Sequence, residues 1–514
     1  MNQDSRALSE ELAGAVERRD VDRIGELVEA NLWALVQGHW PLLMTSLQQL
    51  PAEFFEANPT VALVKRFGTS VFLEGGGVNE RAMTVPAGED AATMPDGLVD
   101  AMLLQEMLAH RLRGEFSRAT EIAERLRTRV ERADDQGRRP IHDMVAFYLL
   151  HVGITEALAG NLDQALRDMG NVRSLRPKAG YELGEYDAGL KRAVMQAALG
   201  RLGEAERLLR RSGEPPELSD PFASQLAATE TAARALIAVD RLSPDAPELV
   251  RLALEQNADA EMWPFALLAS TRWSIATGDL VGVLDQVDEA AATRPAPSDS
   301  LLGRVIVLAR AQSLALLGEF GDALRALDGL ADDGEEQPNA AVIRIRIAFY
   351  MEGPEAALMA ARRLVVRAGI GPSARAETML LAAWAQTMIL GVPDGATAGP
   401  LGALVAREGL WRMLQLVPDR VAEAIPGLEA APRPERRLLL RDPSDGVRLT
   451  ANELEIVQLL AGSESLAAIA KRRFVSQNTI KTQVQSIYRR LGVHGRREAV
   501  VEATRRGLLR RRRG

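Results

Sequence analysis

The chain has 514 residues, is 47% hydrophobic, and carries 62 basic against 70 acidic side chains for a net charge of −8, which excludes a mainly disordered protein and leaves room for two to four domains. No run of 18 or more apolar residues occurs, and the opening MNQDSRALSEELAG is polar and acidic, so neither a membrane span nor a secretory signal is expected and the cytoplasm is the default compartment. Cysteine is absent, which excludes disulfides, thiolate metal sites and a cysteine nucleophile.

Up to about residue 430 the sequence reads as helix after helix. Ala, Leu, Arg and Glu dominate, and period-two alternation of β-branched residues is almost missing, so the expected class is all-α. Aromatic residues make up only 4%, so the helices must pack closely through Ala and Leu, as stacked helical hairpins do. Residues 1–73 form a first helical block. Within it, the stretch from Asn31 to Gly68 resembles, by its LP…NP…L cadence, the opening of the helical superhelix in MalT-like large LuxR-type regulators. Those regulators carry a nucleotide-binding module ahead of the superhelix, but no GxxxxGK[ST] occurs here, so the resemblance implies a shortened relative without the ATPase. Residues 74–97, with Gly75 to Gly77, Pro86, Gly88 and Pro95, read as a long irregular loop.

Residues 98–425 show internal self-similarity. A Gly followed five residues later by Ala or Val occurs at Gly114/Ala119, Gly160/Ala165, Gly200/Ala205, Gly278/Val283 and Gly318/Ala323, at spacings of 46, 40, 78 and 40. The 78 is nearly two periods, and the missing member falls in ALIAVDRLSPDAPELV, with Asp240 in the Gly place and a short insertion before the next helix. In a hairpin repeat the Gly ends the first helix and the later small residue lets the second approach closely. The pattern looks like a tetratricopeptide-type solenoid, with a longer repeat and without that motif's aromatic positions. Such a solenoid would offer a concave face to a peptide, protein or small-molecule effector.

The sequence carries no motif for catalysis or metal binding. The five His residues, at 39, 110, 142, 151 and 494, show no HExxH or paired metal-ligand spacing, and no GxSxG elbow occurs, so no catalytic residue, metal or cofactor is expected. Gly369-Ile370-Gly371-Pro372-Ser373-Ala374 fits a loose GxGxxA, but it follows a helical stretch and contains a Pro, which favours a helix-terminating loop. Trp263, Trp273 and Trp384 sit at helical spacings among Leu and Ala and read as core.

Residues 426–446, rich in Pro, Asp and Gly, read as a linker, and residues 508–514 as a basic tail. Between them, residues 447–507 carry the most specific pattern in the chain. Thr450 and Glu453 form a capping box ahead of Leu454, Val457 and Leu460. Ser465 caps a short helix that buries Leu466, Ile469 and Ala470. After a turn through Phe474 and Val475, Ser476 caps a third helix whose Ile480, Val484, Ile487 and Leu491 form one apolar stripe. Its other face carries Lys481, Thr482, Gln485 and Arg489, with no carboxylate, as a helix lying in a DNA groove requires. Gly492 stops it, and a fourth helix from about Arg496 to Arg506 buries Ala499, Val500 and Ala503.

From Leu449 to Val500 the chain resembles the LuxR/FixJ-type helix-turn-helix domain. That resemblance implies base-edge contacts from Lys481, Thr482 and Gln485, phosphate contacts from Ser476, Thr479 and Arg489, and a dimer seam through Val500, Ala503 and Thr504. Three positions depart from the family: Arg473 stands where Leu is usual, Gln483 where His is usual, and Arg490 where Lys is usual. Charge is segregated to match: residues 433–514 hold 19 Lys/Arg against 8 Asp/Glu, leaving 43 against 62 in the rest. A basic end attracts phosphates while an acidic body repels them, so contact with DNA stays local to the C-terminus.

The expectation is therefore an all-α protein, a helical-repeat superhelix followed by a four-helix LuxR-type helix-turn-helix domain, acting as a sequence-specific regulator. The resemblance implies a homodimer on double-stranded DNA and contact with RNA polymerase. The rival is a protein-interaction scaffold whose basic terminal domain serves localisation or dimerisation.

Overall fold

The computed structural model describes residues 3–68, 96–135, 145–174, 182–213, 222–257, 261–330, 337–429, 431–432, 438–439, 451–462, 465–473, 475–491, 493 and 495–505. All regular structure among them is helical. The expected loop at 74–97 falls almost wholly outside them, as do Thr450, Phe474, Gly492 and the basic tail. The chain divides into two compact units, residues 1–238, 243–270 and 294–305 in one, and 239–242, 271–293 and 306–514 in the other.

The first unit opens with α1 (Gln3–Arg18), α2 (Val21–Gly38), α3 (Trp40–Leu47), α4 (Ala52–Ala57) and α5 (Pro59–Gly68). Asp20 caps α2 by accepting the Arg23 amide at 3.2 Å. The block closes on a core of its own around Leu12, Ile24, Leu35, Leu43 and Leu47. Helical hairpins follow: α6 (Asp96–Leu112) with α7 (Phe116–Asp135), α8 (Val145–Leu158) with α9 (Leu162–Ser174), α10 (Glu182–Ala198) with α11 (Leu202–Ser212), and α12 (Phe222–Asp240) with α13 (Ala246–Gln256). Next come α14 (Trp263–Thr277) with α15 (Leu280–Thr293) and α16 (Leu301–Leu317) with α17 (Phe320–Leu327), then α18 (Pro338–Met351) with α19 (Pro354–Val365) and α20 (Pro372–Leu390) with α21 (Gly395–Glu408).

The hairpin turns are built as the Gly spacing predicts. Gly114, Gly160, Gly200, Gly278 and Gly318 all have φ between 74° and 84°, the left-handed region that favours Gly. Their partners Ala119, Ala165, Ala205, Val283 and Ala323 have no exposed surface, because the second helix of each hairpin lies against the first at those points. The fourth hairpin corrects one expectation. Its left-handed residue is Leu242 (φ 54°), not Asp240. The backbone shows the equivalence: Ser243 N–H donates to Ala238 O at 2.9 Å, as Asn161 N–H donates to Glu156 O at 2.8 Å. Asp240 still belongs to α12, is wholly buried, and accepts from Arg272 at 3.0 Å and Arg412 at 2.6 Å. Two further hairpins turn on Gly353 (φ 112°), which has no small residue five positions on, and on Gly391 (φ 88°), where Ala396 fits the spacing but is exposed.

Trp384 is core, as expected, whereas Trp263 and Trp273 are only half-buried, the former beneath the Arg294 guanidinium at 4.3 Å. Gly371 precedes Pro372 at the first position of α20, so the Gly369–Ala374 stretch is a helix start and not a phosphate loop. The 426–446 stretch is anchored at two of its described residues: Leu428 and Leu438 are buried, and Leu438 N–H donates to Gln415 O at 2.8 Å. After α22 (Asp419–Glu423) come the four helices of the C-terminal domain, α23 (Ala451–Ala461), α24 (Leu466–Arg472), α25 (Gln477–Leu491) and α26 (Arg496–Arg505).

Candidate nucleic-acid interface

The C-terminal domain has its own closed core. Ile456, Val457 and Leu460 of α23, Ile469 and Ala470 of α24, Ile480, Val484, Ile487 and Leu491 of α25, and Ala499 and Ala503 of α26 bury one another. The four-three-four stripe predicted on α25 is buried in full. On α23 the expected stripe is shifted: Ile456 is buried while Leu454 is half-exposed.

Because that stripe faces inward, the opposite face of α25 is turned to solvent. Lys481, Thr482 and Gln485 are exposed there. The helix 477–491 contains no carboxylate, so nothing on it repels a phosphate or competes with a base edge for the lysine. At its start, the Ser476 hydroxyl accepts the Thr479 amide at 3.1 Å, and the two hydroxyls lie 2.7 Å apart. Both residues are exposed, beside the positive end of a helix, where phosphate oxygens are favoured. The side chain of Arg489 lies outside those described; its place on α25 is one turn beyond Gln485.

Two contacts that no residue pattern announces tie α24 and α26 to α23, the helices against which α25 packs. Arg473, where the family usually has Leu, pairs with Glu455 of α23, so the charge near the turn is answered across the domain. Arg496, at the start of α26, donates through Nε to Leu460 O at 3.0 Å and also to Gly462 O, closing the carboxyl end of α23. Ser465 caps α24 as predicted, accepting the Ala468 amide at 3.2 Å. Burial raises the Tyr488 phenol above its usual range, so it stays protonated on the flank of α25.

The seam residues need one correction. Ala503 has no exposed surface, because it fills the domain's own core, and so cannot also face a second copy. Val500 is half-buried against the same core, and the side chain of Thr504 lies outside those described.

A short buried-core bundle with a capped, donor-lined helix projecting from it defines a DNA-binding domain of the helix-turn-helix class. The pattern of bacterial regulatory proteins of the luxR family matches residues 447–503, and the chain belongs to that family. Over 61 residues, 12% of this chain, it is 44% identical to the probable transcriptional regulatory protein NarL of Mycobacterium tuberculosis, of which it covers 28%. Over 61 residues it is 38% identical to the spore germination protein GerE of Bacillus subtilis, of which it covers 82%. No solved structure matches the chain.

Proposed function

We propose that the protein is a sequence-specific transcription regulator and not an enzyme, in which the C-terminal domain reads double-stranded DNA and the helical-hairpin body senses an effector or partner. The observation that carries this is the exposed Lys481, Thr482 and Gln485 on a helix whose opposite face is wholly buried. A structural helix with the same stripe needs no run of donors free of carboxylates; a helix entering the major groove does. The charge split supports the reading, with 19 basic against 8 acidic side chains from residue 433 onward.

In this reading the regulator works in the cytoplasm as a homodimer on paired half-sites and contacts RNA polymerase. Its pairing surface lies on α26 and includes the half-buried Val500, without Ala503, together with Thr504 as the family resemblance implies.

The test is selection of genomic fragments by full-length protein at near-physiological salt, beside the Lys481→Ala/Gln485→Ala double variant. A recurrent, roughly palindromic motif that the variant no longer selects is the expected result. Recovery of no motif by either full-length protein or its C-terminal domain would favour the interaction scaffold.

A further inference from the structure

In the first unit, all fourteen residues of α8 are buried, including His151, Thr155 and Glu156. An inner helix of a repeat array normally keeps one face open to solvent; here the N-terminal block covers it. Trp33 of α2 meets Phe147 of α8 with ring centroids 5.8 Å apart, and Trp40 of α3 meets Phe222 of α12 edge-on at 5.2 Å. The seal is incomplete. These four rings line a cavity of about 80 Å³ that reaches the exposed Gln225, in a chain with only 4% aromatic residues.

The charged groups around this cavity form two ion pairs, one of which presents its carboxylate outward. Asp187 pairs with Lys191 one turn further along α10, and Glu261 pairs with Arg111 of α6 at 2.7 Å. In the second pair the carboxylate is the outer member, 34% exposed against 3% for the guanidinium. Arg111 is held further by donating to His151 O and Thr155 Oγ1, both at 3.3 Å. The His151 ring stands edge-on to Phe147 at 4.5 Å, and burial together with Arg111 and Lys191 keeps it neutral, so it adds no positive charge. Rings present negative faces to a cation, Trp most strongly, and a carboxylate beside them adds to the attraction. An anion entering here would have to displace Glu261 from Arg111 or Asp187 from Lys191.

We infer that this cavity binds a small organic cation, an ammonium group on a compact apolar body, with the charge on the Asp187 and Glu261 carboxylates and the body against Trp33, Trp40, Phe147 and Phe222. Size sets the body. A dry cavity of about 150 Å³ admits benzene, and this one, at about 80 Å³, suits a branched alkyl group of roughly three or four carbons. The inference rests on the proposal that the helical body senses an effector, and it gives that effector a chemical class.

Three molecules of one shape separate charge from fit: isobutylammonium, isobutanol and isovalerate, titrated into full-length protein with tryptophan fluorescence as the readout. Isobutylammonium should saturate at a concentration about tenfold or more below isobutanol, and isovalerate should not saturate. Asp187→Asn and Glu261→Gln should each erase most of that preference, and Trp33→Leu should weaken binding with the melting curve as its folding control. Tightest binding by isovalerate, equal binding of all three, or no binding of any would overturn the assignment. Retention of genomic fragments is read in the same samples. Bound isobutylammonium with unchanged retention leaves the cavity assignment standing and removes the sensing role; failure to bind, with retention intact, removes the cavity assignment alone.

Discussion

Asp240 and Arg412, 172 residues apart in the chain, meet in a buried ion pair at 2.6 Å, and Arg272 joins the same carboxylate at 3.0 Å. Asp240 has no exposed surface, and burial lowers the Arg272 pKa despite the carboxylate beside it. One buried carboxylate is thus shared by two guanidinium groups that are nearly out of reach of water, with Glu377 adding a second negative charge toward Arg272. Asp240→Ala should cost about 3–5 kcal/mol, because removing one member of a buried pair leaves charge uncompensated. Urea unfolding of the variant checks this, and a loss below about 1 kcal/mol would mean that water reaches the arginines.

Leu242 holds a left-handed turn at φ 54° where the other hairpins use Gly. That backbone costs a β-carbon residue about 1 kcal/mol, so Gly200→Ala, at φ 81°, should destabilise by about that amount. Leu242→Gly should relieve the same strain while losing a half-buried side chain, leaving stability within about 0.5 kcal/mol of the parent. Thermal melts of both variants decide it: equal losses would show that the turn does not discriminate.

How much of this was legible in the sequence depended on whether a residue's role was local. Gly160 and Ala165 could be read because a helix end and a close approach are set within one hairpin. Leu242 could not, since no residue type marks a left-handed leucine. The Gly353 hairpin was missed because Pro354 begins the next helix at once, bringing the buried Ala357 four residues on and not five. On α25 the inward stripe and outward donors follow from helical period alone. The Glu455–Arg473 pair, the Arg496 clamp and the meeting of Trp33 with Phe147 arise between helices, and nothing along the chain announces them.

His151 makes stability depend on pH. Its folded pKa lies well below 6.5, through burial first and then Arg111 and Lys191, whereas the unfolded chain takes up that proton near 6.5. Below that pH the unfolded state therefore binds the extra proton. The His151 contribution is complete above about pH 6.5 and falls by about 1.4 kcal/mol per pH unit as pH drops toward the folded value. His151→Gln should flatten the stability profile between pH 6.5 and 5 by that amount, as read in denaturant midpoints at each pH.

Arg473 stands half-buried, with Glu455 as its more exposed partner. An ion pair open on one side contributes only about 0–1 kcal/mol, so Arg473→Leu should be neutral or stabilise the C-terminal domain slightly through added apolar burial. Glu455→Ala alone should destabilise by about 0.5–1 kcal/mol, since it strands the arginine, and should cost nothing in the Arg473→Leu background. Additive losses in this double-mutant cycle would show that the two side chains do not interact.

The DNA contacts proposed for α25 are of two kinds, each with its own signature when lost. Lys481→Ala and Gln485→Ala should each remove about 1–3 kcal/mol of discrimination between a selected site and a scrambled one, because base edges carry sequence information. Arg489→Ala should instead weaken both DNAs equally and reduce the slope of log affinity against log salt by about 1, since a phosphate contact releases one counterion whatever the sequence. Fluorescence anisotropy on both duplexes across a salt series gives both quantities together. If Lys481→Ala lowers the salt slope without changing discrimination, the lysine lies on the backbone, and base reading falls to Thr482 and Gln485.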